Sequence, residues 1–184
     1  ILHSMFHFHF ARTPELLFGP GKLADLPDML RDRDISSLVC ITGESSFRET
    51  EQWSRLRDDL HSAGITLRDY AVSGEPSPES VDAIAAECRE NRPDCVLAVG
   101  GGSVIDTGKA VSAMLPCSES VETFLEGVGT KKPPGSKIFF AAVPTTSGTG
   151  SEATKNAVIS RQGSGGFKKS LRHDNYVPDI AVVD

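Results

Sequence analysis

An apolar segment, three consecutive glycines and a helical pattern follow one another without a break in residues 94–115. In the segment DCVLAVG, residues 94–100, apolar residues occupy both odd and even positions, which predicts a parallel strand covered by helices on both faces. After the glycines, Val104, Gly108, Val111 and Leu115 recur at the spacing of one helix face, and Pro116 ends the pattern. These residues therefore predict a strand that turns through glycines into a helix.

Two similar pairs of elements precede this segment. Residues 38–42 and 65–72 are predicted strands, and residues 51–63 and 79–91 show the apolar spacing of helices. A further strand is predicted at 137–144, KIFFAAVP. Strands that alternate with helices of this length predict a parallel sheet in an α/β fold.

The pattern changes after Pro144. Residues 152–172 contain two polar, extended segments separated by GSGG, which predicts a β-hairpin. The closing segment VPDIAVVD is an apolar strand that ends in Asp184. We expect residues 1–184 to form one domain that is part of a longer protein.

Composition and charge argue against several kinds of partner. The chain has 25 acidic and 19 basic residues, a net charge of −6, and no basic run that could follow a nucleic-acid backbone. No segment approaches the ~20 apolar residues that cross a bilayer. The four cysteines lack CxxC spacing, so neither a disulfide framework nor a zinc knuckle is predicted. We expect a cytoplasmic protein that binds neither nucleic acid nor a membrane.

The glycine turn is the first candidate ligand site. A parallel sheet binds ligands at the carboxyl ends of its strands, where Gly101, Gly102 and Ser103 follow the 94–100 strand. Without Cβ atoms, the backbone N–H groups can approach a phosphate closely, and the helix N-terminus adds positive potential. A diphosphate is the predicted ligand. Ser103 and Asp106 also fit a capping box, which requires no ligand.

Two standard phosphate-binding patterns fail at this turn. Ile105 replaces the third glycine of G-x-G-x-x-G, and Ser103 stands where the nucleoside triphosphate loop has its first glycine. Tight packing is therefore an alternative explanation of the glycines. A second loop, VPTTSGTGSE at 143–152, favours a ligand because its hydroxyl groups can bind phosphate or a carboxamide, although they can also satisfy their own backbone.

The motifs occur in the order of a known family. Four motifs follow one another in the order FGPGKLADLP, AVGGGSVIDTGKA, PTTSGTGSEAT and VPDIAVVD. With these motifs the chain resembles the cofactor-binding half of the iron-containing alcohol dehydrogenases. One departure is Gly108, where alanine is commoner. The resemblance implies a Rossmann-like domain that binds NAD or NADP. It also implies an all-helical domain after residue 184, which would hold Fe(II) or Zn(II) on one Asp and three His side chains.

The resemblance also assigns roles to individual residues. Besides the end of the first strand, eight residues are expected to contact the cofactor. They are Gly101, Gly102, Ser103, Asp106, Thr145, Thr146, Thr149 and Lys168. The two glycines and the serine would hold the pyrophosphate, with the aspartate close by. The threonines would line the phosphate and nicotinamide end. The lysine would lie near the ribose, with Lys169 as the alternative if the register differs by one residue.

The end of the first strand bears on the choice between NAD and NADP. In many dinucleotide-binding domains an acidic residue there accepts the ribose hydroxyls and repels a 2′-phosphate. Gly43 occupies that position here, with Ser45 and Ser46 beside it, which favours NADP. Glu44 favours NAD if its side chain points inward, and Gly43 is also explained as a turn glycine.

The resemblance implies an oxidoreductase that interconverts a small alcohol and an aldehyde or ketone by hydride transfer with NAD(P). A metal would stabilise the alkoxide as a Lewis acid. No catalytic or metal-binding residue is assigned within residues 1–184, so these residues alone are expected to be inactive. The alternatives are a maleylacetate reductase, a glycerol dehydrogenase-like or dehydroquinate synthase-like relative, and a nucleotide-binding module without catalysis.

Phe and His alternate in the first ten residues. This alternation predicts an edge strand, which could pair across a homodimer or within the chain. The buried face of that strand would carry Phe6, Phe8 and Phe10, and its other face His3, His7 and His9. Metal binding by these histidines is the less favoured interpretation.

Overall fold

The computed structural model describes residues 9–184, which contain eight strands, four α-helices and four short 3-10 helices. The strands are β1 (Glu15–Phe18), β2 (Ser37–Gly43), β3 (Thr66–Val72), β4 (Cys95–Gly100), β5 (Phe139–Pro144), β6 (Asn156–Arg161), β7 (Phe167–Arg172) and β8 (Ile180–Val183). The α-helices are α1 (Leu26–Arg31), α2 (Glu51–Ser62), α3 (Pro78–Glu90) and α4 (Gly102–Met114). Short 3-10 helices lie at Lys22–Asp25, Val121–Phe124, Ser151–Ala153 and Asp174–Tyr176.

Six strands form one parallel sheet in the order β1-β8-β5-β4-β2-β3, and β6 and β7 form a separate antiparallel hairpin. The predicted α/β fold with a parallel sheet, flanking helices and a hairpin is therefore confirmed. β4 lies inside the sheet between β2 and β5, and all six of its residues are buried. This position explains why the residues on both faces of β4 are apolar.

The sheet separates two hydrophobic cores. On one face, Val39, Ile41 and Ala98 pack with α3, α4 and the hairpin. On the other face, Leu38 and Leu97 pack with α1 and α2. Neighbouring residues of each strand therefore serve opposite cores, as the two-residue repeat of a strand requires.

Helix α4 lies very close to the sheet at Gly108. A Cβ atom at this position would lie 2.6 Å from the Cβ atom of Ala98 and 2.9 Å from Cε2 of Phe140. At these distances no side chain fits without movement of the helix. The glycine that departs from the family pattern is thus explained by packing, which is the alternative considered above for the glycine turn.

The first ten residues are only partly described. Phe6, Phe8, His3 and His7 lie outside the described residues, so the strand predicted for them is not tested. Residues 9–14 form no strand, and the edge strand β1 begins at Glu15. The predicted burial of Phe10 is wrong, because its side chain is 83% exposed. Outside a strand, the alternation of residue types does not define a buried face.

Residues 9–184 contain no helix that is both long enough and apolar enough to span a membrane.

Candidate functional site

The glycine turn and the hydroxyl-rich loop meet at the carboxyl ends of two neighbouring strands. Gly100 at the end of β4 is in register with Pro144 at the end of β5. The N–H group of Thr145 donates to the carbonyl of Gly100 at 2.9 Å, which joins the two turns directly. The two segments that sequence analysis selected separately therefore form one site at one edge of the sheet.

A cavity of about 390 Å³ opens between these turns and the hairpin. Five of the predicted residues line it, namely Gly102, Ser103, Asp106, Thr149 and Lys168. Ser151 of the hydroxyl-rich loop also lines it, together with three polar residues that sequence analysis did not select: Glu75, Thr154 and Asn156. The cavity thus combines hydroxyl groups, charged groups and the N-terminus of α4.

The first turn of α4 and the second loop touch at Gly102. A Cβ atom at Gly102 would lie 2.9 Å from Cγ2 of Thr149. Gly101 is the N-cap residue of α4, and no side chain caps this helix end. The first N–H groups of a helix have no acceptor within the helix, so this end can donate hydrogen bonds into the cavity.

The predicted capping box between Ser103 and Asp106 is not formed, because the N-cap is Gly101 and Ser103 already lies inside the helix. The Asp106 carboxylate instead accepts a hydrogen bond from the N–H group of Val158 in β6, at 3.0 Å from Oδ2. Its other oxygen, Oδ1, is buried and has no hydrogen-bond partner among residues 9–184.

The environment of Asp106 favours the protonated carboxyl more than water would. Its side chain is 8% exposed, and this burial raises its pKa. The hydrogen bond from Val158, the positive charge of Lys109 and the nearby Ser151 hydroxyl oppose the rise without cancelling it. Asp106 is thus a buried carboxyl group that lines the cavity and has one oxygen without a partner among the described residues.

Lys109 is a functional candidate that sequence analysis missed. Its side chain is 1% exposed, and Nζ donates to the carbonyls of Ser151, Thr154 and Asn156 at 2.8, 2.7 and 2.9 Å. Burial lowers the pKa of Lys109 to about 8, while the negative charges of Asp106 and Glu152 act to raise it. The sequence signal that could have identified Lys109 is its position as the one basic residue within the apolar helical pattern of residues 104–115.

The hairpin supplies Lys168 to the cavity, and Lys169 lies on the opposite side of β7. The ammonium of Lys168 contacts the carboxylate of Glu75, which also accepts a hydrogen bond from the Ser160 hydroxyl at 2.6 Å. The hydrogen bond from Lys168 lowers the pKa of Glu75. Nζ of Lys169 instead lies near Gly127. Of the two registers considered, the structure therefore brings Lys168 to the cavity.

Thr145, Thr146 and Gly101 lie at the same edge without lining this cavity. Thr145 borders a neighbouring cavity of about 520 Å³ on the α2 side of the sheet. Thr146 lies over the glycine turn, where a Cβ atom at Gly101 would be 3.5 Å from its Oγ1. Both threonines are exposed.

Gly43 and Ser45 lie at the carboxyl end of β2. No heavy atom lies within 4 Å of the position that a Cβ atom would take at Gly43, and Glu44 and Ser45 are exposed. Nearby, Nε of Arg48 donates to Oγ1 of Thr42 at 2.5 Å, and its guanidinium group is paired with Asp69. The space beside Gly43 is therefore open, and the cation next to it already has a carboxylate partner.

Residues 9–184 contain no group of three or more His, Cys, Asp and Glu side chains that could hold a metal ion. The carboxylate of Asp184 accepts hydrogen bonds from the N–H groups of Gly21 at 2.7 Å and Leu23 at 2.8 Å. These contacts give Asp184 a structural role, since they join the last strand to the 3-10 helix at Lys22–Asp25. His9, the described member of the N-terminal histidines, is exposed.

Comparisons with known proteins agree with this architecture. The family model for iron-containing alcohol dehydrogenase matches residues 13–184. The chain is 32% identical over 176 residues to the probable alcohol dehydrogenase EutG of Escherichia coli K12, covering 95% of this chain and 43% of that protein. It is 37% identical over 180 residues to an alcohol dehydrogenase of Thermococcus barophilus, covering 95% and 46%.

A solved structure of sulfoacetaldehyde reductase from Bifidobacterium kashiwanohense, in complex with NAD⁺, superposes with a TM-score of 0.86 at 28% identity. The superposition covers 98% of this chain and 46% of that one. The chain therefore spans a little under half the length of the proteins that it matches.

Proposed function

The chain belongs to the iron-containing alcohol dehydrogenase family, and from that premise we propose that it binds NAD or NADP at the 390 Å³ cavity. In this proposal it is the cofactor-binding part of an oxidoreductase that interconverts an alcohol and an aldehyde or ketone by hydride transfer. One observation carries the proposal: the glycine turn, the hydroxyl-rich loop and Lys168 surround a single cavity at the carboxyl edge of a parallel sheet.

The cavity fits the diphosphate of a dinucleotide. Phosphate oxygens require donors, and the uncapped N-terminus of α4 offers backbone N–H groups and positive potential at Gly102 and Ser103. Thr149 adds a hydroxyl group and Lys168 a positive charge. We assign the diphosphate to this part of the cavity, with Lys168 toward the adjoining ribose.

Asp106 fits a ligand that can share a proton with it. Its buried Oδ1 lacks a partner among the described residues. An ionised Asp106 accepts a hydrogen bond from a ribose hydroxyl, whereas a protonated one donates to a phosphate oxygen. The raised pKa of Asp106 makes the second form more accessible than it is in water.

We further propose a preference for NADP, which rests on the end of β2. Gly43 leaves open space where an acidic side chain would repel a 2′-phosphate, and Ser45 offers a hydroxyl group beside it. Thr145 and Thr146 would line the nicotinamide end. The alternative, NAD, requires Glu44 to turn toward the ribose.

The described residues do not offer a metal site, so we derive no step of the reaction through iron or zinc. Formation of a homodimer is a further prediction, and the related reductases named above are the alternatives to an alcohol dehydrogenase. A nucleotide-binding role without catalysis is the competing function. Because residues 1–184 alone are expected to be inactive, turnover by the whole protein, including the expected helical domain, separates the two.

Calorimetric titration with NADPH and NADH tests the proposal, together with an assay for oxidation of ethanol and butanol. The two neighbouring lysines of β7 provide a matched pair of variants. Lys168→Ala is expected to weaken dinucleotide binding about tenfold, the loss of one charge-assisted contact, and Lys169→Ala to change it less than about twofold. Equal effects of the two substitutions, or no binding by the wild-type protein, would contradict the proposed site.

A further inference from the structure

The ammonium group of Lys109 is surrounded by backbone carbonyls of the segment that lines the cavity. Its three short hydrogen bonds go to residues 151, 154 and 156, and Oγ1 of Thr154 lies at 3.2 Å. Ser151, Thr154 and Asn156 all line the 390 Å³ cavity, whereas Lys109 does not. Lys109 therefore binds the residues that line the cavity without lining the cavity itself.

Lys109 has a donor for each of the three carbonyls only when it is charged. An ammonium group has three N–H donors, one for each of the three carbonyls. A neutral amine has two N–H donors and would present its lone pair to the third carbonyl. Loss of the proton removes one of these three hydrogen bonds and turns the lone pair toward a carbonyl oxygen, which favours rearrangement of residues 151–156.

We propose that Lys109 is a positioning residue for dinucleotide binding, which holds Ser151, Thr154 and Asn156 in place through its charged ammonium group without contacting the ligand. This inference rests on the function proposed above. A residue that only packs α4 against its neighbours would not affect binding through its charge. In this proposal the positions of Ser151, Thr154 and Asn156 depend on the protonation of Lys109.

Charged groups on several elements face this lysine. Asp106 lies one turn earlier on α4, and Glu152 lies on the 3-10 helix Ser151–Ala153. Lys168 on β7 acts on Asp106 from the hairpin side of the cavity. The dinucleotide diphosphate adds negative charge, which stabilises the ammonium form of Lys109 and raises its pKa in the complex.

The direction of the pH effect follows from this linkage. In the free protein burial lowers the pKa of Lys109 to about 8, so the proton is lost as the pH rises above that value. Because the complex favours the protonated form, binding above pH 8 must take up a proton. Affinity is therefore expected to fall with rising pH, by at most about tenfold per pH unit for one proton.

The test compares two buried polar residues of α4. Lys109→Met retains length and removes the donors. Ser112→Ala is the matched control, since the Ser112 hydroxyl is buried and donates to the carbonyl of Ile138 at 2.6 Å, away from residues 151–156. NADH affinity is measured by calorimetry between pH 7 and pH 9.5, and folding of each variant is checked by circular dichroism.

Lys109→Met is expected to weaken NADH binding about tenfold or more at pH 7 and to abolish the decline above pH 8. Ser112→Ala is expected to keep the wild-type affinity within about twofold and the wild-type pH profile. If Lys109→Met does not fold, the pH profile of the wild-type protein still decides, since a flat profile between pH 7 and pH 9.5 overturns the proposal.

The outcomes separate this proposal from the proposed function. Wild-type binding together with a Lys109→Met variant that matches Ser112→Ala in affinity and pH profile would overturn the role of Lys109 alone. Absence of NADH and NADPH binding by the wild-type protein would overturn the proposed function and this inference with it.

Discussion

Helices α2 and α4 have 12 and 13 residues and pack on opposite faces of the same sheet, yet they are constructed differently. In α2 the buried residues are Trp53, Leu56 and Leu60, and the other face is exposed. In α4 every residue after Ser103 is buried, and the buried set includes Asp106 and Lys109.

The two helices also begin differently. The side chain of Thr50 caps α2 by accepting from the N–H group of Trp53 at 3.4 Å, whereas no side chain caps α4. An uncapped helix end and buried charges both cost free energy unless something else compensates them. α2 is thus stabilised by its cap and its apolar face, whereas α4 leaves its first N–H groups without a side-chain cap, as the diphosphate site proposed above requires.

Gly108→Ala is expected to have the largest effect on stability, because the added Cβ atom would force α4 away from the sheet. We expect the free energy of unfolding to fall by about 2 kcal/mol, although alanine is the better helix former by about 1 kcal/mol. Denaturant unfolding monitored by circular dichroism measures the change. Asp58→Ala on the exposed face of α2 is the control, with an expected change within about 0.5 kcal/mol. A more stable Gly108→Ala protein would contradict the close approach of α4.

Gly43→Asp tests whether the end of β2, which leads toward α2, takes part in cofactor selection. The new carboxylate is expected to repel a 2′-phosphate and to shift the ratio of NADPH to NADH affinity about tenfold toward NADH, about 1.4 kcal/mol. Calorimetric titration with both dinucleotides measures the ratio. Ser62→Asp adds the same charge at the far end of α2 and should leave the ratio unchanged. An unaltered ratio in Gly43→Asp would remove this strand end from the site.

The smallest effects concern the two helix starts. Thr50→Ala is expected to lower the free energy of unfolding by about 1 kcal/mol, because a side-chain cap is lost. Ser103→Ala is expected to change it by less than about 0.5 kcal/mol, because Ser103 is not the cap of α4. Thermal unfolding of the two variants side by side measures both values. Equal losses would mean that the hydroxyl of Ser103 stabilises α4 after all.

Much of the fold was predictable because its signals are local. The strands and helices between residues 37 and 144 follow from repeats of two and of 3.6 residues, and the two loops of the site follow directly from strands β4 and β5. Since parallel strands bring their carboxyl ends to one edge, the meeting of the two loops could also be expected. The N-terminal alternation misled for Phe10, because residues 9–14 form no strand that could give it a buried face.

The sequence by itself determined the order of the elements, the parallel sheet, the hairpin and the two loops, since each depends on residues that are neighbours in the chain. Only the tertiary structure decided that Asp106 binds the backbone of Val158 rather than capping α4, and that Lys168 rather than Lys169 reaches the cavity. It also decided that Lys109 is enclosed by carbonyls more than 40 residues away, at sequence separations of 42, 45 and 47. The physical reason is that a buried polar group takes its partners from whatever elements pack against it, and the pattern around that residue in the chain does not specify them.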